Sequence, residues 1–134
     1  MLDYLKRFFS KSGGEEEIKI HLPENANATF ELKIDSIIVG TLHCENGEWI
    51  FKYSDDFKKH SGEYNHIAGF SQLDKVYHNN ILWPFFQTRI PGLKQPAVKE
   101  IIEKEHINAT NELELLKRFG KKTISNPYEL EFVF

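Results

Sequence analysis

With 134 residues, 40% of them hydrophobic and 28% charged, the chain carries enough material for one folded domain and lacks the composition of a disordered one. A net charge of -3 supplies no electrostatic drive toward phosphate backbones or anionic membranes, so neither nucleic acid nor membrane is expected as a direct partner. The lone cysteine, Cys44, has no partner for a disulfide, a zinc pair or a redox dithiol. No apolar run approaches the roughly 20 residues of a membrane span and the N-terminus lacks signal-peptide features, so a cytoplasmic setting is expected.

In chain order, Leu2, Leu5, Phe8 and Phe9 fall on one helical stripe that Ser12-Gly13-Gly14 ends, which predicts a short amphipathic appendage over residues 1–14 ahead of a single domain at 15–134. Docking on the domain explains that stripe better than a membrane surface does, because Lys6 and Arg7 are its only early bases. Glu15 to Glu17 reads as a solvated run. From Ile18 the period becomes two: Ile18, Ile20 and Leu22, then Phe30, Leu32 and Ile34, alternate with polar residues as strands do. Ile37–His43 and Trp49–Tyr53 flank Asn46-Gly47, whose residues accept the positive φ of a tight hairpin turn. Within that hairpin Trp49, Phe51 and Tyr53 share a face, which reads as core.

Asp55 to Gln72 predicts a short charged helix or turn followed by a long connection. The spacing of Ile81, Leu82, Phe85, Phe86 and Ile90 predicts a helix with one buried face, stopped by Pro91-Gly92. On that helix Trp83 and Gln87 fall on the outward side, with Arg89 nearby, and these three are the candidate partner-binding residues. Pro96 opens a second helix with the stripe Ala97, Val98, Ile101 and Ile102. A third begins at Asn111, a capping residue paired with Glu114, carries Leu115, Leu116 and Phe119, and ends at Gly120 in an expected left-handed conformation. Lys117, Arg118, Lys121 and Lys122 complement the negative end of its dipole, an explanation preferred to a nucleic-acid contact because no aromatic platform is interleaved with them. Tyr128 to Phe134 alternates as a closing strand. The order β-β-β-β-α-α-α-β predicts an α+β fold with a mainly antiparallel sheet packed with about three helices.

The machinery of catalysis is missing from the pattern. No two of the six histidines, at 21, 43, 60, 66, 78 and 106, have the helical spacing of a metalloprotease site. There is no glycine-rich phosphate loop, no Gly-x-Ser-x-Gly elbow and no kinase catalytic loop. No catalytic, cofactor-binding or metal-ligating residue is therefore assigned, and the chain is expected not to be an enzyme.

Val39-Gly40-Thr41-Leu42, Phe51-Lys52-Tyr53, Leu82-Trp83-Pro84-Phe85-Phe86 and Arg89-Ile90-Pro91 together resemble the N-terminal domain of HipA-type kinases, over roughly residues 28 to 120. In that family a small β-rich domain carries a Val-Gly-x-Leu strand, a Phe-x-Tyr strand and a Pro-Phe-Phe-x-x-Leu-Leu-Pro helix ahead of the kinase body. Here Arg89-Ile90-Pro91 replaces the two leucines and proline, and the chain is expected to stop about where a kinase body would start, which favours a stand-alone branch. The resemblance implies a HipS-like antitoxin of a three-gene system, binding and inhibiting a HipA-like serine/threonine kinase, with a helix-turn-helix DNA-binding protein in the same complex. The alternative is an accessory module that completes such a kinase or tethers it to a repressor.

Overall fold

A computed structural model of the chain describes residues 19–64 and 67–134. The expected helix within residues 1–14, the Glu15–Glu17 run, Ile18 and His66 lie outside the described residues. Five strands form one antiparallel sheet: β1 (Ala28–Ile34), β2 (Ile37–Glu45), β3 (Glu48–Tyr53), β4 (Tyr77–Asn79) and β5 (Glu129–Val133), in the order β4-β3-β2-β1-β5. Among the described residues four helices are interspersed: α1 (Asp55–Lys59), α2 (Pro84–Gln87), α3 (Pro96–Lys104) and α4 (Glu112–Phe119). The fold is α+β, as expected, with the element order β-β-β-α-β-α-α-α-β.

Alternation places every second strand residue on one face of the sheet. Phe30, Leu32, Leu42, Cys44, Trp49 and Phe51 are enclosed there, while Thr29, Glu31, Lys33, Thr41 and His43 keep the other face polar. Each large apolar side chain so buried stabilises the fold by about 1.5–3 kcal/mol before chain entropy is counted. Cys44 pairs with Trp49 and Glu45 with Glu48, leaving Asn46-Gly47 as a two-residue turn with φ of 53° and 74°. That is the hairpin the sequence predicts.

The core is aromatic at its centre. The Phe51 ring lies 4.6 Å from Phe70 and 5.7 Å from Phe86, and Phe57 of α1 stacks on Tyr53 at 5.4 Å. Gly40 on β2 makes room for this: a Cβ there would stand 2.5 Å from the Lys52 carbonyl and 2.8 Å from Phe51 Cζ. The Val-Gly-x-Leu and Phe-x-Tyr segments are thus two halves of one packing arrangement, a glycine beneath an aromatic ring.

Four local expectations are corrected. Ile20 and Leu22 belong to no strand; His21 makes a single parallel bridge to Asn111, because its neighbour is the turn before α4 rather than a strand. The helix expected across Ile81 to Ile90 is only Pro84–Gln87, and Ile81 is exposed while Leu82, Phe86 and Ile90 bury from different backbone conformations. On α3, Val98 is buried but Ala97 is exposed. Gly120 closes α4 with φ of −85°, not left-handed; the requirement is space, since a Cβ would meet the Leu116 carbonyl at 2.5 Å. The N-cap of α4 is as expected, with Asn111 Oδ1 accepting from Glu114 N at 3.2 Å. Glu114 Oε1, however, takes the Asn108 amide at 2.9 Å.

Candidate functional site

Pro84 sets the geometry of the segment singled out above. A residue before proline is driven to extended backbone, and Trp83 has φ of −65° and ψ of 149°, so it precedes α2 rather than riding on its outer face. Its ring packs edge-on against Phe70 at 5.1 Å and is half-buried. Gln87, the last residue of α2, is half-buried and lines a groove. Arg89 departs furthest from expectation, being only 4% exposed.

The Arg89 guanidinium ties down the segment that leads into β5. Nη1 donates to the carbonyls of Gly120 at 3.0 Å and Lys121 at 3.3 Å, and Nη2 to Tyr128 O at 2.9 Å and Asn126 Oδ1 at 3.2 Å. Nε is enclosed without a partner, and the face of Phe85 lies 5.4 Å from the guanidinium carbon. Burial lowers its pKa to about 10, which leaves it charged at neutral pH. Arg89 is therefore a core clamp, and of the three candidates only Trp83 and Gln87 keep part of their surface for a partner.

Glu112, at the start of α4, is the second buried charged residue, 6% exposed. Its Oε1 accepts the Trp49 indole N–H at 2.8 Å, so one interaction satisfies the buried indole and anchors the carboxylate. Burial raises its pKa, opposed by the indole hydrogen bond and by the charge of His21. The backbone joins in: Glu112 N donates to His21 O at 2.9 Å. Glu112 forms part of a groove of about 690 Å³ lined also by His21, Leu22, Glu24, Glu48, Ile81 and Gln87. Sequence reasoning missed it, since an acidic residue in a first helical turn already has an explanation in the helix dipole. The available signal was Trp49, a core indole that needs an acceptor.

A second groove, of about 530 Å³, is mainly apolar and runs between Ile34, Tyr64, Ile67, Phe85, Pro127 and Tyr128. Among the described residues no group of three or more histidine, cysteine or acidic side chains is placed to hold a metal ion. The histidines pair locally: His43 lies between Thr29 Oγ1 at 2.8 Å and Glu45 Oε1 at 2.9 Å, and His60 contacts Glu63 at 2.9 Å. Cys44 is buried, and burial pushes its thiol up to about 11, away from nucleophilic use. No helix among the described residues is long and apolar enough to cross a membrane.

The family model for the HipA N-terminal domain matches residues 30–125. The chain belongs to the HipA N-terminal domain family. The match runs from β1 to just past α4, so it includes Gln87, Arg89 and Glu112, while β5 and the His21–Glu24 side of the large groove lie outside it. Neither a curated protein nor a solved structure matches the chain. In this HipA N-terminal domain the family's sequence motifs coincide with the Gly40–Phe51 packing and the Pro84 start of α2.

Proposed function

We propose that this HipA N-terminal domain is a non-catalytic antitoxin that binds a HipA-like serine/threonine kinase and restrains it, in the manner of a HipS-like component. The observation that carries the reading is the family match over residues 30–125, laid on a domain whose sheet and helical layer close around their own core. A domain of this kind retains a surface shaped for its kinase and can occupy that surface in trans. Ile81, 61% exposed, and the half-buried Trp83 precede α2 and the half-buried Gln87 ends it, and these three supply the apolar and polar parts of such a contact. A helix-turn-helix DNA-binding protein joins the same complex through the kinase, and DNA is contacted through that partner.

The test is co-expression with a HipA-like kinase from the same genome. Co-purification, loss of kinase activity and rescue of growth are expected; failure to co-purify overturns the reading. Increased phosphorylation on mixing would instead establish the accessory role. Gln87→Ala should weaken the complex without altering stability. Trp83→Ala should weaken it by about 2 kcal/mol, as truncating an aromatic anchor does, provided binding is read where the variant is folded.

A further inference from the structure

We infer that the groove beneath Ile81 is a socket for an arginine side chain, presented by an extended segment of a partner protein, with Glu112 as its floor. The inference rests on the proposed function only for the identity of the protein that supplies the arginine.

Among the described residues three acidic side chains line this groove, Glu24, Glu48 and Glu112, and no lysine or arginine does. They arrive from three places: Glu24 from the segment before β1, Glu48 from the first position of β3, and Glu112 from the first turn of α4. Acidity alone would mean little, since exposed carboxylates are solvated. Glu112 differs. It is more than nine-tenths buried, Oε1 is committed to the Trp49 indole, and among the described residues no hydrogen bond engages Oε2. Among the described residues the one enclosed side-chain polar atom without a partner is Arg89 Nε, so Glu112 Oε2 keeps an opening to solvent while burial of the rest of the side chain raises the pKa. Through that opening an incoming cation that donates hydrogen bonds can pair with Oε2, the oxygen that the indole leaves free.

The walls select the kind of cation. A bare divalent ion needs several converging oxygens, and among the described residues no three histidine, cysteine or acidic side chains are placed to hold one. Ile20, Leu22 and Ile81 instead give the groove apolar walls, suited to the methylene stem of a long side chain. A guanidinium is the better head group, being weakly hydrated and offering five N–H donors: Oε2 accepts at the floor while the amide oxygens of Asn80 and Gln87 accept at the sides. His21 is the other titratable lining residue. Its carbonyl is occupied by the Glu112 amide, and its ring Nδ1 lies 3.4 Å from the Lys19 carbonyl. His78 holds Glu48 Oε1 at 3.2 Å, fixing the rim carboxylate.

The experiment titrates the isotope-labelled full chain with acetyl-Ala-Arg-Ala-amide and with its lysine and norleucine analogues, reading the Trp49 indole N–H, which reports directly on Glu112. The arginine peptide should shift that signal saturably, with half-saturation at about 1 mM or below. The lysine peptide should bind several-fold more weakly and the norleucine peptide not at all. Glu112→Gln, which keeps an oxygen for the indole, should lose about tenfold or more in affinity. Equal binding of the norleucine peptide, or unchanged affinity in E112Q, overturns the socket. If E112Q does not fold, the exposed-rim variant Glu24→Gln/Glu48→Gln replaces it, with about a threefold loss expected and unchanged affinity overturning the proposal. Kinase binding separates the two readings: the peptide titration decides the socket, equal kinase affinity of wild type and E112Q removes the kinase as the source of the arginine and leaves the antitoxin, and a chain that binds arginine peptide but no kinase keeps the socket and overturns the antitoxin.

Discussion

Arg89 and Glu112 are the two buried charged residues among the described ones, and their surroundings are opposite. Arg89 is closed in by four oxygens, three of them backbone carbonyls, and its charge is spread over neutral acceptors. Glu112 has one donor and opens onto a groove. A buried charge whose hydrogen-bonding capacity is nearly used up by its own chain is part of the structure. One that is half used, and faces a cavity, is available to something else. The residue singled out from the sequence as a partner contact is the clamp, and a residue that the sequence reading passed over faces the groove.

Removing the clamp should have the largest effect. Arg89→Ala takes the guanidinium donors away from the Gly120, Lys121 and Tyr128 carbonyls, and a loss of about 3 kcal/mol or more is expected in chemical denaturation. Arg89→Lys should recover little of it, because an ammonium cannot span acceptors on both branches of the fork. A loss below about 1 kcal/mol for the alanine variant would show that water replaces the clamp.

Gly120→Ala attacks the same region from the other side. Its Cβ would press on the Leu116 carbonyl and on Leu116 Cδ1 at 2.7 Å, so about 2 kcal/mol of destabilisation is expected, again read by denaturation. A neutral result would mean that the turn carrying the Arg89 acceptor shifts at little cost.

Glu112→Gln should lie within about 1 kcal/mol of wild type at pH 7, and its information is in the pH dependence. The Glu112 pKa is raised in the folded state above the ordinary value of 4.5, so between these two values the native state binds more protons than the unfolded one. Its stabilising contribution is therefore complete below pH 4.5 and lost as pH rises through the folded value. The stability of wild type relative to E112Q should fall across that window. A flat difference would show that the groove solvates the carboxylate fully and would erase the contrast with Arg89.

The smallest effect belongs to an exposed charge. Arg118 makes a bidentate pair with Glu105, at 2.8 and 3.1 Å, yet both partners are solvent-accessible. Arg118→Ala should cost about 0.5 kcal/mol and less in high salt. A loss comparable to that of the Arg89 variant would mean that ion pairing, not burial, sets the scale.

What the sequence discloses here follows from how local each cause is. The Asn46-Gly47 hairpin, the closing strand near Tyr128 and the Asn111 cap depend on neighbours a few residues away and are legible. β4 is not: it has three residues, two of them the exposed polar His78 and Asn79, too few to show alternation. The apolar run from Ile81 to Ile90 imitates a helical stripe, but Pro84 forces the chain before it to be extended and the same residues bury by another route. The burial of Arg89 is invisible because its acceptors are 31 to 39 residues away and are mostly backbone carbonyls, which leave no mark in side-chain patterns. Of the candidate contact residues, Gln87 lines a groove together with Ile81, while Trp83 packs on Phe70 just ahead of a single helical turn rather than on a long helix face.

The sheet order has a consequence for synthesis on the ribosome. β1 is flanked by β2, its immediate successor, and by β5, where Thr29 meets Val133 roughly 100 residues later. At about 5–20 residues per second the nascent chain exposes one edge of β1 for about 5–20 s before its partner is made. That edge carries Phe30, Leu32 and Ile34, an apolar alternation of the kind that templates wrong pairing. A chain stopped after Asn126, which also forfeits the Tyr128 acceptor of Arg89, should stay protease-sensitive and sediment as aggregate, while the chain through Phe134 should not. Closure of the sheet on the β1 edge is therefore expected to wait for translation of β5.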